Sequence, residues 1–215
     1  TKYKLEYDKL PVMDKWLLSR LNTLIKSVDQ YLENYKITEA ARLMNDFVDE
    51  LSNWYVRRNR ERFWAKGMPQ DKINAYMTLY TTLVEFSKLA APYIPFMTED
   101  IYQNLVVNLD KEAPESIHLS SYPTYNEAFI HKKLEEDMKE VLEIVVLGRA
   151  CRNAANIKNR QPIGKMYVKA DNTLSEFFID IIADELNVKE VVFTDDVREY
   201  TTYSFKPLLK TLGPK

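Results

Sequence analysis

Apolar residues recur at three- and four-residue steps through most of this chain, and that spacing is the strongest constraint on its fold. Between residues 14 and 34, Trp16, Leu17, Leu21, Leu24, Ile25, Val28 and Leu32 form one stripe of an α-helix. A second, very long helix is expected from about Glu39 to Lys66, with Thr38 as its N-cap and Gly67 and Pro69 just past its end. A third should run from about Gln70 to Ala91, where Pro92 and Pro95 stop it and open another. That fourth helix, from about Phe96 to Leu109, places Glu99 and Asp100 in its first turn, matching the helix dipole. Pro114 and Pro123 mark residues 110–125 as a connecting loop, and a fifth long helix is expected from about Glu127 to Ile157.

The pattern changes at Gln161-Pro162-Ile-Gly164. A β-like run (Lys165 to Ala170) follows. A helix then opens on the capping box Thr173-Leu-Ser-Glu176, and a second β-like run spans Val188 to Thr194. The expected fold is therefore mainly α: a helical bundle over residues 1–160 with a small, C-terminally truncated α/β appendage over 161–215. The chain begins at Thr1 and ends at Gly213-Pro214-Lys215, which reads as a piece of a longer protein.

Composition narrows the chemistry. Only four glycines occur, at 67, 148, 164 and 213, too scattered for a loop whose backbone amides cradle a phosphate. One cysteine, Cys151, and two histidines, His118 and His131, cannot assemble a Cys/His zinc site. The single cysteine also fits a reducing cytoplasm. Cys151 reads as a small buried helix residue, although Arg149 and Arg152 beside it could lower its pKa. No apolar run approaches the roughly 20 residues that span a bilayer. Glu135, Glu136, Asp137 and Glu140 read as a solvated helix face, with nothing nearby to complete an acid–base pair. No catalytic residues and no metal ligands are expected.

Charge is informative in its distribution. The formal net charge is −2, so a polyanion-binding surface must come from local sorting. Trp54-Tyr-Val-Arg57-Arg58-Asn-Arg60-Glu-Arg62-Phe-Trp64 places four arginines against Glu61 alone. At about 100° per residue, Arg57, Arg60 and Trp64 share one helix face, Arg58 and Arg62 the adjoining one, and Val56 and Phe63 point roughly opposite. Guanidinium forks suit phosphate, and Trp or Tyr rings suit unpaired bases. The same residues could equally pair with acidic side chains of neighbouring helices while both tryptophans fill a core. A second basic stretch follows Glu143: Arg149, Arg152, Lys158, Arg160, Lys165 and Lys169 precede the next acidic residue, Asp171. Helix-dipole complementation accounts for one or two of these, not six.

Several ordered motifs resemble one family. Asp14-Lys-Trp16-Leu-Leu-Ser-Arg20-Leu-Asn22 is similar to the opening of the anticodon-binding bundle in class I isoleucyl-, valyl- and leucyl-tRNA synthetases. Leu89-Ala-Ala-Pro92-Tyr-Ile-Pro95-Phe-Met-Thr-Glu99-Asp-Ile-Tyr102 resembles a motif shared by all three, and Ser116-Ile-His118-Leu with Tyr122-Pro123 resembles the loop after it. Asp49-Glu-Leu-Ser-Asn53-Trp-Tyr-Val-Arg57-Arg-Asn-Arg60, then Arg62-Phe-Trp64, looks like the isoleucyl version. So do Gly148-Arg149-Ala-Cys-Arg152, Ile157-Lys158-Asn-Arg160-Gln-Pro162, Glu185-Leu-Asn187-Val-Lys189, Lys206-Pro207 and Leu212-Gly213.

The resemblance implies a bundle that grips the anticodon stem-loop of tRNA-Ile, followed by a small α/β junction. It also implies a longer ligase in which separate catalytic and editing domains act and ATP and Mg²⁺ are used. This chain itself would hold no cofactor. Asn53, Trp54, Arg57, Arg58, Arg60, Arg62, Trp64, Arg152, Lys158 and Arg160 are the positions carried over as tRNA-binding. The rival expectations are a valyl or leucyl counterpart and, from a different class, a helical scaffold that meets an acidic protein.

Overall fold

A computed structural model of the chain describes residues 3–170 and 174–196. Its contacts divide it into two compact units, the first running to Glu135 and the second beginning at Glu136. In this division most of the last long helix groups with the α/β residues.

In the first unit, α1 (Val12–Glu33) buries Trp16, Leu17, Leu18, Leu21, Leu24, Ile25 and Val28, the stripe expected from its spacing. It packs on α2 (Ile37–Asp49) and on α4 (Gln70–Ala90). The polar members of the α1 motif are equally built in. Ser19 and Thr23 donate to Glu135, and Arg20 bridges Glu50 (2.8 Å) and Glu135 (3.3 Å). Asn22 accepts the Asn126 N–H at 2.7 Å. Burial opposes the charge on Arg20, but these two carboxylates outweigh it and hold its pKa above the ordinary value. Glu135 therefore lies half-buried among partners rather than on a solvated face.

The second helix departs from expectation. It starts at Ile37 without a Thr38 cap, and its regular turns give way to wide π-type turns over Glu50–Val56. Asn59 leaves helical geometry (φ −90°, ψ 11°), and a short α3 (Arg60–Trp64) follows. The wide turns align Leu51, Trp54, Tyr55 and Asn59 toward the core, while Val56 and Phe63 are half-buried. Gly67, at φ +70°, lies beyond the end of α3, as its position suggested.

Pro95 begins α5 (Pro95–Tyr102), which continues as wide turns over Gln103–Val107. Glu99 thus falls beyond the first turn, and its role is a tertiary one. It accepts from Ser116 Oγ (2.8 Å) and the Ile117 N–H (2.9 Å), tying the 116–119 turn to α5. Ala91, Tyr102 and Ile117 make a small apolar cluster there, with Val106 and Val107 against it.

The second unit holds α6 (Lys132–Ala154) from Glu136 onward, β1 (Ile163–Val168), α7 (Glu176–Leu186) and β2 (Val188–Phe193). The strands pair in parallel, Ile163 opposite Val188 and Val168 opposite Phe193, which is the expected strand–helix–strand unit. Ser175 stands at the N-cap position of α7 without a side-chain cap bond; Thr173, Lys206-Pro207 and Leu212-Gly213 lie outside the described residues. Gly148 lets α6 approach α7, since a β-carbon there would overlap the Leu186 side chain. Arg149 joins the same two helices through Glu185 (2.6 Å). Cys151 is exposed on α6, contrary to the expectation of burial.

Candidate nucleic-acid interface

The two basic stretches separate into residues that organise the fold and residues that face solvent. In the first stretch, Trp54 is 4% exposed, and the guanidinium groups of Arg57 and Arg58 each lie 5.8 Å from its ring centre. It cannot stack on a base, because its faces are already taken up by packing. Arg62 is likewise committed internally. It forms a fork on Asp14, which is fully buried (Nη1–Oδ1 2.7 Å, Nη2–Oδ2 2.8 Å), and also reaches Asp71 and Asn59. Burial opposes its charge, yet the bonds to Asp14 and Asp71 hold its pKa above the ordinary value. Tyr55 donates to Asp14 at 2.7 Å, and burial, reinforced by that carboxylate, pushes the phenol pKa up.

Asn53, Arg57, Arg60 and Trp64 are exposed, and Arg58 is half-buried. Asn53 bonds Asp49 (3.1 Å), and Arg57 Nε donates to the Asn53 carbonyl (2.8 Å), so both are ordered on the helix surface. Arg60 lies over the Trp64 ring at 4.4 Å, and Trp64 is 71% exposed. A cation held over an outward aromatic ring combines a phosphate donor with a stacking surface.

The second unit repeats the division. Arg152, 3% exposed, donates to the carbonyls of Lys158 and Gln161 (3.0 Å each), Leu186 (2.5 Å) and Asn187 (3.1 Å). Its Nη donors are spent on backbone and its Nε is buried without an acceptor, so the guanidinium does not face solvent. Arg149 pairs with Glu185 and Lys165 with Glu190 (3.0 Å). Lys158, Arg160 and Lys169 remain exposed, the first two on the turn that Arg152 gathers in. Among the expected site residues, Trp54, Arg62 and Arg152 are thus reassigned to support.

Residues 14–168 match the family described as "Anticodon-binding domain of tRNA ligase". The chain belongs to that family. Among its relatives, the isoleucine–tRNA ligase of Clostridium novyi (strain NT) is 56% identical over 202 residues, covering 94% of this chain and 19% of the relative. That of Clostridium tetani (strain Massachusetts / E88) is 54% identical over the same coverage. Isoleucine–tRNA ligase 2 of Bacillus cereus (strain ATCC 14579) is 45% identical over 213 residues, 97% of this chain and 20% of the relative. The chain thus spans about a fifth of the length of the curated relatives it matches.

Within this anticodon-binding family member, the residue that composition and spacing did not single out is Asp14. An acidic side chain on the apolar stripe of α1 was the available signal, because a buried carboxylate requires a partner. Nothing local names that partner: Arg62 lies far along the chain.

Proposed function

We propose that the chain is a tRNA-recognition module of an isoleucine–tRNA ligase and that it holds the anticodon arm of tRNA-Ile. The observation that carries this reading is the exposed Arg60–Trp64 pair, with Arg57 on the same basic segment. Asn53 and Arg58 border that surface, and Lys158 and Arg160 supply a second basic turn. Phosphate contacts from the arginines and lysines would set affinity and register, and Trp64 would stack on an unpaired base. On this reading the catalytic and editing domains of a longer cytoplasmic ligase carry the ATP- and Mg²⁺-dependent chemistry, and this chain takes no cofactor.

The test is binding of the chain to an isoleucine tRNA transcript across a salt series. Arg57→Ala with Arg60→Ala should weaken binding about tenfold or more and flatten the log–log salt slope by somewhat under one unit per lost phosphate contact, about 0.7–0.9. Unchanged affinity and slope would overturn the role of this surface. Valyl and leucyl transcripts in the same assay decide which tRNA is preferred. Isoleucine-dependent pyrophosphate exchange by the chain alone, which is not expected, would overturn the assignment of chemistry elsewhere.

A further inference from the structure

The short helix α3 carries the Arg60–Trp64 pair, and it has little to hold it. It is five residues long and none of them is buried. A helix of that length has no orientation of its own in water. Tyr76 donates to the Phe63 carbonyl (3.4 Å) and Lys72 to the Ala65 carbonyl just past the helix (2.7 Å), and from α3 itself two side chains reach inward. Phe63 packs edge-on against Tyr55 and Tyr76, and Arg62 reaches into the bundle.

All five N–H donors of Arg62 are engaged, and their acceptors lie on three separate segments. Nε donates to Asp71 Oδ2 (2.8 Å), on the first turn of α4. Nη1 donates to Asp14 Oδ1 (2.7 Å), on α1, and to Asn59 Oδ1 (2.8 Å), at the break before α3. Nη2 donates to Asp14 Oδ2 (2.8 Å) and to the Asp71 carbonyl (3.1 Å). The circuit closes on itself: Asn59 Nδ2 donates to the Tyr55 carbonyl (2.8 Å), and the Tyr55 hydroxyl donates to Asp14 (2.7 Å).

We infer that Asp14 and Arg62 are positioning residues for RNA recognition, a clamp that fixes α3 so that Arg60 and Trp64 meet the ligand in one orientation. This rests on the tRNA reading above. A buried ion pair contributes little net stability compared with apolar residues of the same volume, so an ionic clamp is better explained by the geometry it specifies. The planar fork is what supplies that geometry. A lysine at 62 could neutralise Asp14, but it could not also span Asn59 and Asp71.

The experiment uses the 215-residue chain and an isoleucine tRNA transcript. Arg62→Lys keeps the charge on Asp14 compensated and is the principal variant; Asp14→Asn is a second, used where circular dichroism shows it folded. Arg62→Lys, folded at the assay temperature, should weaken tRNA binding about tenfold. In a background already carrying Arg60→Ala and Trp64→Ala, the same change should have almost no effect. Unaltered binding by folded Arg62→Lys, or an equal loss in both backgrounds, overturns the clamp. If Arg60→Ala/Trp64→Ala alone leaves tRNA binding unchanged, the tRNA reading of this surface falls, and the clamp falls with it.

Discussion

Trp54 and Trp64 carry one side chain into opposite surroundings, and single substitutions should separate them. Trp54 is enclosed, with two guanidinium groups against it, whereas Trp64 projects into solvent under Arg60. Trp54→Ala should destabilise the chain by about 3–5 kcal/mol through the cavity it leaves. Trp64→Ala should shift stability by less than about 0.5 kcal/mol while weakening tRNA binding by about 1–3 kcal/mol, the worth of one base stack. Urea midpoints and a tRNA titration of both variants check this; a large stability loss in Trp64→Ala would place that ring in the core after all. The sequence alone could not make the division. Arg57, Arg58, Arg60 and Arg62 share charge, length and neighbourhood, and what distinguishes Arg62 is a buried carboxylate on another helix.

At the scale of elements, α5 is held to the following turn by Glu99. Burial pushes its carboxyl pKa up, but bonds from Gln103, Ser116 and the Ile117 N–H outweigh that and hold it below the usual carboxylate value. A depressed folded-state pKa means the contribution to stability is complete above the unfolded value and disappears as pH falls through the folded one. Glu99→Ala should therefore be less stable at pH 7 by about 1 kcal/mol, a figure that already discounts for solvent screening. The gap should close in strongly acid solution, once the pH has fallen through the lowered folded-state value. Urea unfolding under both conditions measures it, and a gap that persists at low pH would exclude the carboxylate charge as its cause. Element type was legible throughout: every long helix and both strands follow from periodicity. What periodicity missed were the wide turns over Glu50–Val56 and Gln103–Val107. They arise where tertiary packing overrides the ordinary helical repeat, so no local spacing announces them.

For the whole molecule, a net charge of −2 predicts no general affinity for polyanions. On the proposed tRNA reading, binding would come from locally exposed cations such as Arg57, Arg60, Lys158 and Arg160. Four phosphate contacts correspond to a log–log salt slope of about −3 to −4 with tRNA-Ile. A slope near zero would mean that these residues do not meet the phosphate backbone. The mainly α architecture and its small α/β part could be read from the sequence, but the border between units could not. The hydrophobic pattern of α6 does not say which neighbour it will join; Gly148 against Leu186 and Arg149 against Glu185 decide that in three dimensions.

A wide helical turn is equivalent to one residue added to an ordinary helix. Shortening Glu50–Val56 by one residue would let the helix revert to regular winding. Because the wide turns had already absorbed that residue, the side chains beyond would keep nearly the same facing relative to α2. A one-residue deletion, which usually wrecks a packed helix, would at this place be absorbed by the winding, so that α2 stays in register and the exposed arginines beyond keep their facing.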